Sequence, residues 1–156
     1  MTSDVYFIDF KATPRENLSG KLHRMLETAK LHDVLNKRDL TAVKLHFGEL
    51  GNQAFISPLM IKHIVEYIKK AGVNPYLTDT NTLYSGTRSD APSHLKTAIY
   101  NGFAYSVIDS TPIVIADGLR GKSDTAVPIH KKHYKEVFIG NEICEADSLV
   151  SIAHFK

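Results

Sequence analysis

Thr41-Ala42-Val43-Lys44-Leu45-His46-Phe47 is the stretch that decides the fold. It is apolar and rich in β-formers, with Lys44 as its charged interruption. That pattern reads as a strand buried on both faces except at one point. Ten residues on, Ser57-Pro58 opens a helix. Serine is a good cap and proline suits the first helical position. Ile61, Ile64, Val65 and Ile68 recur on one face, Lys69 and Lys70 suit the negative end, and Gly72 stops the run. Pro75 to Asp79 is the next strand. Strand, helix and strand at this spacing form a βαβ unit, whose two strands run parallel.

The flanks extend the same alternation. Upstream, Val5 to Phe10 reads as a strand, and Thr13-Pro14-Arg15-Glu16 as a capping box. A helix should follow, with Leu18, Leu22, Met25, Leu26 and Ala29 on its inner stripe, then a short second helix over 31–35 and a turn over 36–39. Downstream, a polar loop over 80–90 leads to a helix over 91–101 with Leu95, Ala98 and Ile99 inside. Ile113 to Ala116 is a strand, Val127 to Ile129 and Glu136 to Ile139 are short strands, and Ser148 to Ala153 is the last. The expected fold is a single α/β domain over 1–156. It has three layers, a mainly parallel sheet flanked by helices, and a small β-hairpin excursion. The last residues, His154-Phe155-Lys156, come directly after a strand, so the chain is expected to be the N-terminal part of a longer protein.

The chain has 156 residues, 43% hydrophobic and 23% charged, ordinary for one globular domain. A formal charge of +2 is too small to point to nucleic acid or an anionic membrane, and neither is expected as a partner. No stretch reaches the roughly 18 apolar residues of a membrane span. The single cysteine, Cys144, allows no disulfide within the chain, which fits a reducing cytoplasm. One thiolate cannot hold an iron–sulfur cluster or a structural zinc. Cys144 itself reads as a small buried hydrophobe.

Chemistry-bearing residues stand where four apolar runs end: His46, Asp79, Asp117 and His154. If those runs are neighbouring strands, the four emerge along one edge, where open α/β sheets bind ligands. After the first run, Gly48 lets backbone approach a ligand, and His46 and Glu49 suit metal ligation or acid–base work. A tight turn holding a satisfied histidine accounts for that loop equally well. The second loop holds Asn81, Thr82, Tyr84 and Arg88. Arg88 suits a two-point clamp on carboxylate or phosphate, or an ion pair with Asp79 or Asp90. Asp117-Gly118 is first of all a hairpin-turn signal, with Val127 to Ile129 as the returning strand. His94 falls in the first turn of a helix beside the second loop, within reach of the cleft.

Together, Val43-Lys44-Leu45-His46-Phe47-Gly48-Glu49, Thr78-Asp79-Thr80-Asn81-Thr82-Leu83-Tyr84 with Gly86 and Arg88, Ala116-Asp117-Gly118-Leu119 and Ala153-His154-Phe155-Lys156 resemble the uncharacterised Fe–S centre protein family (domain of unknown function 362). Members are usually longer, and many carry a ferredoxin-like segment whose cysteines bind four-iron clusters. The resemblance therefore implies a 4Fe-4S cluster outside these residues and a ferredoxin-like segment as partner, with no cofactor held by this chain alone. The candidate ligand-binding set is Lys44, His46, Gly48, Glu49, Asn52, Asp79, Asn81, Thr82, Tyr84, Arg88, Asp117 and Lys156. Candidate ligands for a divalent metal are His46, Asp79 and His154. The leading expectation is a small-molecule- or metal-binding α/β domain of an iron–sulfur protein. The alternatives are a scaffold that docks the ferredoxin-like segment, and a metal-dependent acid–base enzyme with Lys44 or Lys156 as electrophile.

Overall fold

A computed structural model describes residues 3–155. Four strands form one parallel sheet: β1 (Leu40–Lys44), β2 (Asn74–Asp79), β3 (Ile113–Ile115) and β6 (Ser148–Ser151), in the order β3-β2-β1-β6. The chain walks outward from β1 to β2 to β3, then returns to place β6 on the other side of β1. The helices are α1 (Leu18–Thr28), α2 (Pro58–Lys69), α3 (Ala91–Tyr100) and the four-residue α4 (Asn141–Cys144). The excursion is the antiparallel pair β4 (Asp124–Pro128) and β5 (Glu136–Gly140). The expected mainly parallel sheet, flanking helices and small hairpin are all present.

Why α2 forms is plain from its sequence. Ser57 Oγ accepts from the Leu59 amide, Pro58 opens the first turn, and Ile61, Val65 and Ile68 are fully buried against Val43 and Leu77 of the sheet. Gly72 takes a φ of +82° and ends the run, as a left-handed terminus favours. The core spreads from there through Leu45, Phe47, Phe103 and Ile108.

Several expectations are corrected. Val5 to Phe10 is no strand: Val5, Phe7 and Phe10 are exposed, while Ile8 packs on the core and Asp9 pairs with Lys21 of α1. A β-forming run without a neighbouring strand leaves its backbone groups without a ladder. The capping box fails because Arg24 draws off the Glu16 carboxylate, at 2.9 and 3.0 Å. Thr13 closes a separate turn, and Asn17 caps α1 through the Gly20 amide. In α3, Ile99 is exposed and the inner positions go to Ala91, His94, Thr97 and Ala98. Cys144 is exposed, because α4 is too short to turn a face inward. Asp117-Gly118 makes no hairpin: β3 pairs with β2, and β4 with β5.

Candidate functional site

The strand ends are held level by backbone hydrogen bonds. Leu45 donates to the Thr78 carbonyl at 3.0 Å, Ala116 to Asp79 at 3.0 Å, and Ile152 to Lys44 at 2.8 Å. The residues that follow these strands therefore share one edge of the sheet. Strand order reverses between β1 and β6, and a crevice beyond the carboxyl ends is the usual ligand site of such a sheet.

Asp79, the last residue of β2, is the centre of the edge. Its side chain is 7% exposed. Lys44 Nζ, at the end of β1, lies 3.3 Å from Oδ1, and Arg88 Nη1 lies 3.2 Å from Oδ2. His94, reaching in from α3, stands 3.7 Å from Oδ2. Burial pushes the Asp79 carboxyl above its usual range, even though Lys44, the Thr80 amide and Arg88 all favour the charged form.

Arg88 joins this group to the first loop. Its Nε donates to Glu49 Oε1 at 3.0 Å, and Nη2 reaches both Glu49 and the Tyr84 hydroxyl. The Tyr84 hydroxyl also donates to Glu49. The Arg88 guanidinium, chiefly, holds Glu49 down at about 2. Most donors of Arg88 are thus spent inside the protein, on an ion pair with Asp79 and Glu49, and little remains for clamping a ligand.

His94 is fully buried, and neither ring nitrogen has a hydrogen-bond partner among the described residues. Burial lowers its pKa to about 4, with Arg88 adding to the effect. At neutral pH it is an uncharged imidazole, able to give or to take one proton. His46, on the loop after β1, accepts from the Gly48 amide through Nδ1 at 2.7 Å. Its charge is felt by both Glu49 and His94, which places it beside the network. Gly48 has a φ of +84°, and a Cβ there would collide with the Phe55 ring.

Asn81 and Asp117 form a second cluster, beyond β2 and β3. Asp117 accepts from the Asn81 amide at 3.0 Å and from Asn81 Nδ2 at 2.9 Å. Asn81 Nδ2 also donates to the Gly118 carbonyl. Thr82 and Tyr84 line a cavity above this pair. Asn52 is exposed; its amide donates to the Glu49 carbonyl at 3.1 Å and its Oδ1 accepts from Ala54. His154 is exposed beyond β6, and Lys156 lies outside the described residues.

The structure thus gathers Lys44, His46, Glu49, Asp79, Tyr84 and Arg88, keeps Asn81, Thr82 and Asp117 beside them, and leaves the Asn52 and His154 side chains exposed and outside this hydrogen-bonded network. Among the described residues, no three His, Cys, Asp or Glu side chains are grouped to hold a metal ion, so His46, Asp79 and His154 form no such set. Among the same residues, no helix is long and apolar enough to cross a membrane. Sequence reasoning undervalued His94. It placed the residue in the first turn of a helix within reach of the cleft, but not in the core, where the structure buries it fully. It missed Arg120, whose place on the rim of the second cluster follows from chain path alone.

Residues 41–156 match the family described as a domain of unknown function (DUF362). The chain belongs to that family. No curated protein and no solved structure matches it. The match begins with the second residue of β1 and takes in every candidate residue at the carboxyl edge of the sheet.

Proposed function

We propose that this DUF362 domain binds a small polar compound in the crevice beyond β1 and β2 and exchanges a proton with it through Asp79. The observation that carries this reading is His94. A buried polar atom without a partner costs about 1–3 kcal/mol, and His94 holds two of them beside a buried carboxylate. The Phe47 ring edge and the Asp79 carboxylate at 3.7 Å approach the imidazole without hydrogen-bonding it, and such a group fits a site that a ligand completes. In the proposed step the Asp79 carboxylate takes a proton from the ligand, and Lys44, partly open to solvent, faces the anion left behind. The neutral His94 imidazole stands ready to relay or stabilise that proton. Raised basicity at Asp79 suits the task.

The wider setting we propose, on the family resemblance, is an iron–sulfur protein of the cytoplasm with a ferredoxin-like segment as partner. The residues present do not fit a cluster. Cys144 is the chain's one cysteine, and a four-iron cluster is bound by several thiolates. No step here runs through such a group.

A second reading, a scaffold, is favoured by the saturation of Arg88, which ties the loop after β1 to the loop after β2. One experiment separates the two. The imidazole nitrogens of His46 and His94 are followed by NMR while hydroxy acids, keto acids and phosphate esters are added to the wild type, Asp79→Asn and Lys44→Met. The expected result is a compound that moves both histidines and whose affinity falls about tenfold or more in each folded variant. If no compound moves them, or if both variants bind as well as the wild type, the network is structural.

A further inference from the structure

A cavity of about 270 Å³ opens beside the network, at the carboxyl ends of β2 and β3. Asn81 and Asp117 line it deep inside, Tyr84 and Ser89 line its sides, and Arg120 stands at its rim. We infer that this cavity seats a polyhydroxylated compound ending in a carboxylate or a phosphate, with Asn81 and Asp117 accepting its hydroxyl protons and Arg120 holding its anionic end. The inference rests on the proposed reading of the adjoining crevice, and names the class of compound that reaches it.

The acceptors come first. Asn81 is 9% exposed, and its Oδ1 has no hydrogen-bond partner among the described residues. Its Nδ2 is committed to Asp117 and Gly118, which fixes Oδ1 as the acceptor. Asp117 carries two carboxylate oxygens with about four lone-pair sites between them, and among the described residues Oδ2 accepts from the Asn81 amide alone. Gly121 lies against that oxygen. A Cβ there would stand 3.1 Å from Asp117 Oδ2, and the φ of +64° disfavours any side chain. Buried, under-used acceptors on residues that line a cavity call for a ligand that donates, and hydroxyl groups donate.

The cation comes second. Arg120 is exposed, makes no hydrogen bond among the described residues, and is felt electrostatically by Asp90. Asp90 is occupied as the cap of α3, accepting from the Ser93 amide at 3.0 Å. The guanidinium fork is therefore free for the planar, two-point grip that suits carboxylate and phosphate. The start of α3 does not compete for the anion. Ala91 donates to Leu119, Ser93 and His94 donate to Asp90, and Pro92 has no amide proton.

Charge and size narrow the class. Asp117 would repel a bare anion lodged in the cavity, so the charged end belongs at the Arg120 rim and the hydroxyls belong inside. The volume lies just below the usual range for ligand pockets, which begins at about 300 Å³. That is room for one sugar-sized molecule and not for a dinucleotide. The half-exposed Tyr84 ring offers a flat face to a sugar's C–H side, and its hydroxyl belongs to the Glu49–Arg88 network. The two sites therefore share a wall.

The test is a calorimetric titration of the protein with D-gluconate, D-glucose 6-phosphate, sorbitol and inorganic phosphate, repeated on Arg120→Ala, Gly121→Ala and Lys44→Met. At least one of the first two is expected to bind, and which one binds decides between carboxylate and phosphate. Sorbitol and phosphate should bind at least about tenfold more weakly, and Arg120→Ala and Gly121→Ala should each cost about tenfold or more in affinity. The inference is overturned if neither gluconate nor glucose 6-phosphate binds at about 10 mM, where a millimolar site is mostly filled. Equal affinity in Arg120→Ala, or equal binding of sorbitol, overturns it as well. Binding that Arg120→Ala abolishes and Lys44→Met leaves intact upholds this cavity and removes the proposed crevice. Binding lost in Lys44→Met alone does the reverse.

Discussion

Asp79 ends β2, Asp117 follows the adjacent β3, and the two are almost equally buried, yet the protein treats them in opposite ways. Asp79 is ringed by ionisable groups: Lys44 and Arg88 as cations, and a neutral imidazole at 3.7 Å. Asp117 is clasped by the amide and side chain of Asn81, one loop away, and no ion pair reaches it among the described residues. A hydrogen-bond clasp satisfies a buried carboxylate quietly and fixes two loops to each other. A cage of charges satisfies it at the cost of desolvating all of them, and burial still wins at Asp79, whose carboxyl is pushed up. The first arrangement is built to stay as it is; the second responds to a proton or to a ligand.

Arg88→Met should sharpen the contrast most. Arg88 is 5% exposed and bridges Glu49 and Asp79, so removing its charge leaves the buried Asp79 and the partly exposed Glu49 without their shared cation. Breaking a buried ion pair from one side costs about 3–5 kcal/mol. Urea unfolding at pH 7 should show a loss of that size. A loss near zero would mean that Lys44 alone balances Asp79, and that the cage is looser than its distances suggest.

Asp117→Ala should cost less, about 2 kcal/mol, because it strands the Asn81 amide and one of the two Nδ2 hydrogens without stranding a charge. The same unfolding measurement checks it. A loss as large as that of Arg88→Met would erase the distinction between clasp and cage.

The carboxyl edge of the sheet was legible because run length is a local property. Each of the four apolar stretches stops at a polar residue, and parallel strands of similar length put those residues level. Strand order was not legible, since the return of β6 to the side of β1 depends on the whole path of the chain. The Arg88–Asp79 pair was within reach of reasoning, being nine residues apart. The Arg88–Glu49 bond spans 39 residues, and nothing local announces it. Val5 to Phe10 failed for a related reason: β-propensity says that a segment is willing to pair, and only the fold supplies the partner.

His94→Leu carries the smallest expected effect and the most pointed one. The substitution removes two unpartnered polar atoms from a fully buried position and replaces them with a side chain of similar bulk. At pH 7 the variant should be as stable as the wild type or more stable by about 1 kcal/mol, since a buried orphan group costs at least that much. The difference should widen on acidification. In the fold His94 holds its neutral form down to about 4, against 6.5 for a free ring. Its contribution is therefore fully present above pH 6.5 and is lost as the pH falls through 4. Glu49, held at about 2 against 4.5, is lost in the same direction at lower pH, whereas Asp79, pushed up, favours the fold below 3.8 and opposes it as the pH rises. Wild type should thus lose stability between pH 6.5 and 4 while His94→Leu runs flatter across that window, read as urea midpoints at half-unit steps. Parallel curves would mean that water or a rotated Asp79 satisfies the ring. The cage would then be as quiet as the clasp, and the argument for chemistry at Asp79 would lose its main support.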